Sequence, residues 1–184
     1  MTSQHPARPG PRDGRLHEML RVDHAGEYGA VQIYRGQRAI FDRVAGREAI
    51  AATLKDMEDG EAAHLKTFDR LLAERRVRPT LLAPVWNAAG FALGAATALM
   101  GEKAAMAATM AVEEVIEQHY AEQAAELRDT EPALADTVAA FREDEIGHKD
   151  AAERGGGRAA PGYPLMRAVI QAGCRAAIRL SEKV

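Results

Sequence analysis

Glu-x-x-His occurs twice in this chain, as Glu61 with His64 in MEDGEAAHLKTF (57–68) and as Glu145 with His148 in FREDEIGHKDAA (141–152). On a helix the two residues of each pair stand about 5 to 6 Å apart on one face, where a carboxylate and an imidazole can reach one metal ion. So short a motif recurs by chance, and its placement carries the weight. In the second copy Leu134, Val138, Phe141, Glu145, His148 and Ala152 follow one another at alternating intervals of four and three, the apolar stripe of an amphipathic helix. In the first copy Ile50, Leu54, Met57, Glu61, His64, Phe68 and Leu71 do the same. Both pairs therefore interrupt stripes that face a core. Carboxylates are costly there unless paired or metal-bound, and charges that merely face solvent would lie on the opposite side.

The chain has 184 residues, 47% hydrophobic and 28% charged, enough for one globular domain with a substantial core. Its net charge of −3 argues against nucleic-acid binding. A single cysteine, Cys174, excludes an internal disulfide framework and fits a reducing compartment, although it can equally be a core thiol. Residues 1–14 are rich in proline, glycine and polar residues without an apolar run. They predict a disordered tail, not a signal peptide, ahead of a single domain over 15–184.

From Arg15 to about Val44, Leu20, Glu27, Tyr34 and Phe41 recur every seven residues, which places Glu27 on a buried helical stripe. Gly26 and Gly29 flank it, each costing about 1 kcal/mol relative to alanine. They mark either the close approach of a neighbouring helix or a cap or kink. A second helix spans about Arg47 to Glu74, with Arg75, Arg76 and Arg78 suiting its C-terminal dipole and Pro79 as the expected stop. A third long helix, about Glu102 to Arg128, carries the stripe Met106, Met110, Glu113, Glu117, Tyr120, Ala124 and Leu127. Glu113 follows the apolar run AAMAATMAV and is the candidate for burial, whereas Glu114 and Glu122 lie off the stripe and are expected in solvent. Pro132 opens a fourth helix that ends at Gly155, Gly156 and Gly157.

Two further segments need a place. Residues 79–101 hold 23 positions without an ionisable side chain, but Pro84, Asn87, Gly90, Gly94 and Gly101 weaken the case for a free membrane span. The segment reads as membrane-dipping or as buried in the core. Residues 164–183 alternate apolar residues with Arg167, Arg175, Arg179 and Lys183. They form either a basic amphipathic helix on an anionic membrane surface or a last packing helix with snorkelling arginines.

Collected, the core-facing polar residues are Glu27, Glu61 with His64, Glu113, and Glu145 with His148. One glutamate from each of two helices and one Glu-x-x-His from each of two others is the ligand pattern of a ferritin-like dimetal bundle. The expected fold is therefore all-α, a ferritin-like four-helix bundle with additional membrane-facing helices. Four carboxylates and two neutral imidazoles balance two divalent cations, and this oxygen-rich donor set suits iron or manganese better than zinc or copper. Asp144, beside Glu145, is a candidate acceptor for the free N–H of a ligand histidine.

The chain here resembles the demethoxyubiquinone hydroxylases, a family of ferritin-like di-iron carboxylate proteins. The matching stretches are LRVDHAGEYGAVQIYRGQ (20–37), GEAAHLKTF (60–68), RVRPTLLAPVWNAAGFALGAATALMG (76–101), AVEEVIEQHY (111–120), FREDEIGHKD (141–150) and IQAGCRAAIRLSE (170–182). DHAGEYGA and RPTLLAPVWN are far more specific than Glu-x-x-His. The resemblance implies two iron ions held by Glu27, Glu61, His64, Glu113, Glu145 and His148, with Glu61 and Glu145 bridging. It implies an O2-dependent monooxygenase that hydroxylates a polyprenylated demethoxyubiquinol late in ubiquinone biosynthesis, with electrons from NADH or a reductase.

It also implies a peripheral protein on the cytoplasmic face of the cell membrane, or on the matrix side of the mitochondrial inner membrane in a eukaryote. The lipid tail of the substrate would explain the apolar 79–101 segment and the basic C-terminal helix. A lipid-presenting partner or a homo-oligomer is a further implied association. His119 and Tyr120, beyond Glu113, either handle protons or electrons near the ring or pack in the core with a satisfied polar tip. The rival reading is an iron-storage or ferroxidase protein with the same bundle, which needs no lipid-facing surface. A metal-free structural bundle leaves four core carboxylates unexplained.

Overall fold

The structure is a computed structural model that describes residues 11–184. Among these residues there are six helices, one short 3-10 turn and no strand. They are α1 (Pro11–Phe41), α2 (Glu48–Arg75), α3 (Ala83–Leu99), α4 (Glu102–Leu127), α5 (Pro132–Arg154) and α6 (Tyr163–Lys183). Helix α1 begins at Pro11, so the last four residues of the expected tail join the helix, where a proline in the first turn loses no hydrogen bond. The rest of that tail lies outside the described residues.

Short links set the neighbours. The α1–α2 and α4–α5 hairpins pack into a four-helix bundle, with α3 laid along α1 and α6 laid along α4. The chain is thus a three-helix unit used twice. Helix α2 stops before Pro79, at Arg76, whose left-handed backbone (φ 54°) lets the Arg76 and Val77 amides donate to Ala73 and Leu72 carbonyls. Gly101, at φ 108°, makes the sharp turn from α3 into α4 that a side chain would strain.

The alanine-rich start of α4 is buried on every side, from Ala104 to Glu113, as expected of a helix with neighbours all round. Two apolar clusters divide the bundle lengthwise. One gathers Leu20, Phe68, Leu72, Tyr120, Leu134 and Val138, and the other Tyr34, Phe41, Leu54, Met57, Met106 and Met110. Burying side chains of this size contributes about 1.5–3 kcal/mol each, enough to hold a strip of polar groups between the two clusters away from water.

Gly26 and Gly29 are not where the helices crowd, since a Cβ at Gly26 would meet only Ile116 Cδ1, at 3.9 Å, and one at Gly29 nothing within 4 Å; the close approach falls at Gly36 of α1 and at Gly90 and Gly94 of α3. A Cβ at Gly36 would run into the Phe91 carbonyl, one at Gly94 into the Ile33 carbonyl, and one at Gly90 would lie 2.8 Å from the Gly29 carbonyl. The helices meet backbone to backbone. The opposite face of α3 and the α3–α4 turn are uncovered: Leu81, Val85, Phe91, Leu99 and Met100 are exposed, Leu99 by 73%. Residues 79–101 are therefore not wholly core, and the helix they form, α3, has 17 residues. Among the described residues no helix is long and apolar enough to cross a membrane.

Helix α6 divides likewise. Arg167 pairs with Glu114 at 2.5 Å and Lys183 with Glu18 at 3.0 Å, while Arg175, Arg179, Leu165, Val169 and Leu180 are exposed. Glu114, expected in solvent, is half-buried because it holds Arg167 and also accepts from Gln171. The α4 stripe frays at Glu117, which sits at the bundle edge, bonded to Arg142 at 3.2 Å and to Lys149.

Candidate metal centre

The six residues that interrupt the apolar stripes come together between the two apolar clusters. Glu27 projects from α1, Glu61 and His64 from α2, Glu113 from α4, and Glu145 and His148 from α5. Their donor atoms form two quartets, Glu27–Glu61–His64–Glu145 and Glu61–Glu113–Glu145–His148, each with all its donors within 4.8 Å of one another. Glu61 and Glu145 belong to both, which is the geometry that bridging requires. His64 Nδ1 lies 3.4 Å from Glu145 Oε1 and 3.6 Å from both Glu27 Oε2 and Glu61 Oε2. His148 Nδ1 lies 3.0 Å from Glu61 Oε1 and 3.4 Å from Glu145 Oε2.

These atoms face one another without satisfying one another. Glu61 Oε1, both Glu145 oxygens, His64 Nδ1 and His148 Nδ1 are buried and make no hydrogen bond. An unpaired buried polar atom costs about 1–3 kcal/mol, more when charged, so five of them aimed into one space is a deficit that bound cations remove. The donors present fit a pair of divalent metal ions.

The protonation pattern says the same. Burial, then the charge of Glu61, holds the Glu27 carboxyl well above the usual carboxylate range. Burial, then the charge of Glu145, does so for Glu113. Burial opposes the charge on Glu61 as well, but the imidazoles of His148 and His64 beside it outweigh burial and keep that carboxyl low. Burial disfavours the charged imidazoles, yet carboxylates on every side raise His64 strongly and push His148 up to about 11. Groups packed this closely would have to share protons if no cation stood among them.

A ring of outer groups fixes the ligands. Tyr34 Oη donates to Glu113 Oε1 at 2.5 Å, and Tyr120 Oη donates to Glu27 Oε1. His64 Nε2 is hydrogen-bonded to Asp144 Oδ2 at 3.1 Å, as the sequence suggested, so the Nδ1 lone pair points inward. His119 does not reach the ligands. Its Nε2 bonds Asp23 Oδ1 at 3.1 Å, and the buried Asp23 also accepts from Gln123 at 2.6 Å. Sequence reading missed Tyr34 and Asp23. The signal for Tyr34 was present: it follows Glu27 by seven residues, as Tyr120 follows Glu113.

An apolar cavity of about 370 Å³ is walled by α1, α3, α4 and α6, sharing α1 and α4 with the cluster but lined by none of its six residues. Gly26 and Val112 stand in its wall, each one residue before a metal-facing glutamate. Trp86 and Val169 line it farther out, and Cys174 is half-buried in its side, where burial pushes the thiol up to about 11. Trp86 Nε1 donates to Ser181 Oγ at 2.9 Å and Asn87 Nδ2 to Tyr28 Oη at 2.9 Å, tying α3 to α6 and to α1.

A helical bundle that buries one glutamate from each of two helices and a Glu-x-x-His from each of two others belongs to the ferritin-like class, and its carboxylate–histidine cluster is one that can hold metal. More narrowly, the chain belongs to the family described as Ubiquinone biosynthesis protein COQ7, which matches residues 14–181. A 3-demethoxyubiquinol 3-hydroxylase of Rhodospirillum rubrum is 49% identical over 179 residues, covering 97% of this chain and 82% of that protein. A mitochondrial protein of Mus musculus named NADPH-dependent 3-demethoxyubiquinone 3-hydroxylase is 47% identical over 169 residues, covering 90% and 76%. The mitochondrial 5-demethoxyubiquinone hydroxylase of Saccharomyces cerevisiae is 38% identical over 184 residues, covering 92% and 78%.

Proposed function

We propose that this chain is a demethoxyubiquinol hydroxylase of ubiquinone biosynthesis, an O2-dependent monooxygenase working through two iron ions. Glu27, Glu61, His64, Glu113, Glu145 and His148 hold the iron, with Glu61 and Glu145 shared. The observation that carries the reading is the pair of donor quartets sharing Glu61 and Glu145, on a bundle that also holds an apolar cavity with Gly26 and Val112, the residues before Glu27 and Glu113, in its wall. Bound ferrous iron supplies two electrons to O2 and activates it for insertion into an electron-rich ring.

The protein does the rest. The cavity excludes water and takes the apolar ring and the first part of its isoprenoid tail, with Gly26 and Gly29 leaving room beside α1. Tyr120 and Tyr34 hold a proton at Glu27 Oε1 and Glu113 Oε1 and so fix the outer carboxylates. Asp23 orients His119, which is 19% exposed and links the buried acid to the surface near the centre. Reduced nicotinamide is the electron source: the name of the Mus musculus relative points to NADPH, where the sequence left NADH or a reductase open.

The exposed apolar residues of α3 and α6, with Arg175 and Arg179 beside them, suit a peripheral membrane surface from which a polyprenyl quinol enters. The same face is available to a lipid-presenting partner or a second copy. Iron storage is the weaker reading, because a hydrated ion has no use for an apolar cavity and needs a charged path instead.

The test is metal content together with turnover. Wild type and Glu145→Ala are reduced anaerobically, given O2 and a short-chain demethoxyquinol, and the ring product is measured. Wild type is expected to carry two irons per chain and to hydroxylate the ring, and Glu145→Ala to do neither. Two irons with O2 consumption but no hydroxylated ring would favour the ferroxidase reading, and a wild type that takes up no iron would overturn both.

A further inference from the structure

The two halves of the bundle present matching ligands, and one place where they differ lies directly behind the ligand histidines. Asp144 precedes the shared Glu145 on α5, and Gly60 precedes the shared Glu61 on α2. Each therefore stands behind the histidine of the opposite half. Asp144 reaches His64 Nε2 at 3.1 Å. At the matching place a Cβ on Gly60 would lie 3.3 Å from His148 Nε2 and 3.4 Å from its Cε1. The His148 ring thus rests against the bare α2 backbone, and among the described residues its Nε2 has no hydrogen-bond acceptor.

The surroundings repeat the contrast. His64 is stacked on Phe141 with ring centroids 3.9 Å apart and planes at 23°, and its side chain is 5% exposed. His148 touches Tyr34 only edge-on, at 6.2 Å and 76°, and is 15% exposed.

We infer that the two metal positions are unequal by construction: Asp144 makes the Glu27–Glu61–His64–Glu145 position the tight one, and Gly60 leaves the His148 position the labile one. Asp144 is a positioning residue. By accepting from Nε2 it fixes the tautomer and the ring angle of His64 and raises the electron density at Nδ1, an effect whose loss typically costs 10–100-fold in metal affinity. Gly60 acts by its lack of a side chain, which gives His148 room to reach the cluster and also freedom to withdraw from it. The inference rests on the metal-binding part of the proposed function and is independent of the substrate.

Chelated, metal-free full-length protein titrated with Co2+ tests it, with bound metal followed by visible absorption and folding by far-ultraviolet circular dichroism. Quinol, O2 and reductant are absent, so the outcome does not depend on hydroxylation. Two equal positions sharing two carboxylates would also fill in two steps, through repulsion between the ions. In that case Asp144→Ala and Gly60→Ala would both weaken the second step and leave the first alone.

The unequal centre gives a different result. Asp144→Ala weakens the first step by about 10–100-fold, Asp144→Asn recovers part of it because the amide oxygen still accepts, and Gly60→Ala and His148→Ala weaken only the second. Asp144 is 62% exposed, so its replacement leaves the fold intact. An Asp144→Ala protein with an unchanged first step, or with both steps weakened alike, overturns the inference, as does a wild type that binds no Co2+.

Discussion

Tyr34 of α1 donates a 2.5 Å hydrogen bond to Glu113 of α4, and the relation is returned across the bundle by Tyr120 of α4 to Glu27 of α1. Each tyrosine stands seven residues after the glutamate of its own helix and serves the glutamate of the other. Removing the hydroxyl in Tyr34→Phe leaves a buried carboxyl without its donor, at a cost of about 1–3 kcal/mol. A metal ion satisfies the same oxygen, so the loss should be largest without metal. Thermal melts of Tyr34→Phe with and without bound metal check this; an equal loss in both states would mean that the hydroxyl does not hold Glu113.

Stripped of metal, the protein should have a definite pH dependence. Glu27, Glu113 and His148 all have folded-state pKa values raised above their unfolded ones, His148 to about 11. A group raised in this way contributes stability that is complete below its unfolded pKa and is lost as pH rises through the folded value. For His148 the loss runs from about pH 6.5 to about 11, and for the two carboxyls it begins above about 4.3. Glu61, held low, works in the opposite sense but only in acid, where protonation removes its contribution. The midpoint of the metal-free protein should fall by several degrees between pH 6 and 9.5, and metal binding should flatten the curve and release protons. A metal-free midpoint that rises over that interval would contradict the assignment.

Much of this was legible because helical periodicity reports burial directly. Alternating steps of four and three put Glu61, His64, Glu145 and His148 on core faces, and the structure brings all four together with Glu27 and Glu113. Contacts across the bundle left weaker traces. Tyr34 was visible as part of a stripe, but its choice of the distant Glu113 over its own Glu27 depends on the crossing of α1 and α4. Glu114 read as solvated because periodicity within α4 carries no information about α6, which covers it. The bare face of α3 was open in the sequence for a related reason: glycines at 90 and 94 announce one close neighbour without saying how many sides are covered.

That bare face makes a prediction about membranes. Leu81, Val85, Leu99 and Met100 are exposed along α3 and at its ends, and Leu165, Val169 and Leu180 are exposed on α6. At about 25 cal/mol per Å² of apolar surface removed from water, three or four such side chains supply enough for reversible binding, reinforced by arginine on anionic lipid. In sedimentation with vesicles containing anionic lipid, Leu81→Ser with Leu165→Ser is expected to bind at least tenfold more weakly than wild type while retaining its metal. Undiminished binding would remove these residues as the membrane contact.

Gly29 offers the cleanest separation of cavity from metal. It lines the apolar cavity, and a Cβ built on it meets nothing within 4 Å, in contrast to Gly90 and Gly94 of α3, which have no room. A leucine at 29 therefore points into open space. Because it replaces glycine within a helix, it should leave stability unchanged or raise it by up to about 0.8 kcal/mol. Filling the cavity should nonetheless exclude the quinol ring or its first isoprene unit, with kcat/KM down at least tenfold and metal content unaltered. Gly90→Ala is the counterpart: it destabilises the α1–α3 contact and lowers the melting temperature. A Gly29→Leu enzyme with normal turnover of a short-chain demethoxyquinol would show that substrate reaches the centre by another route.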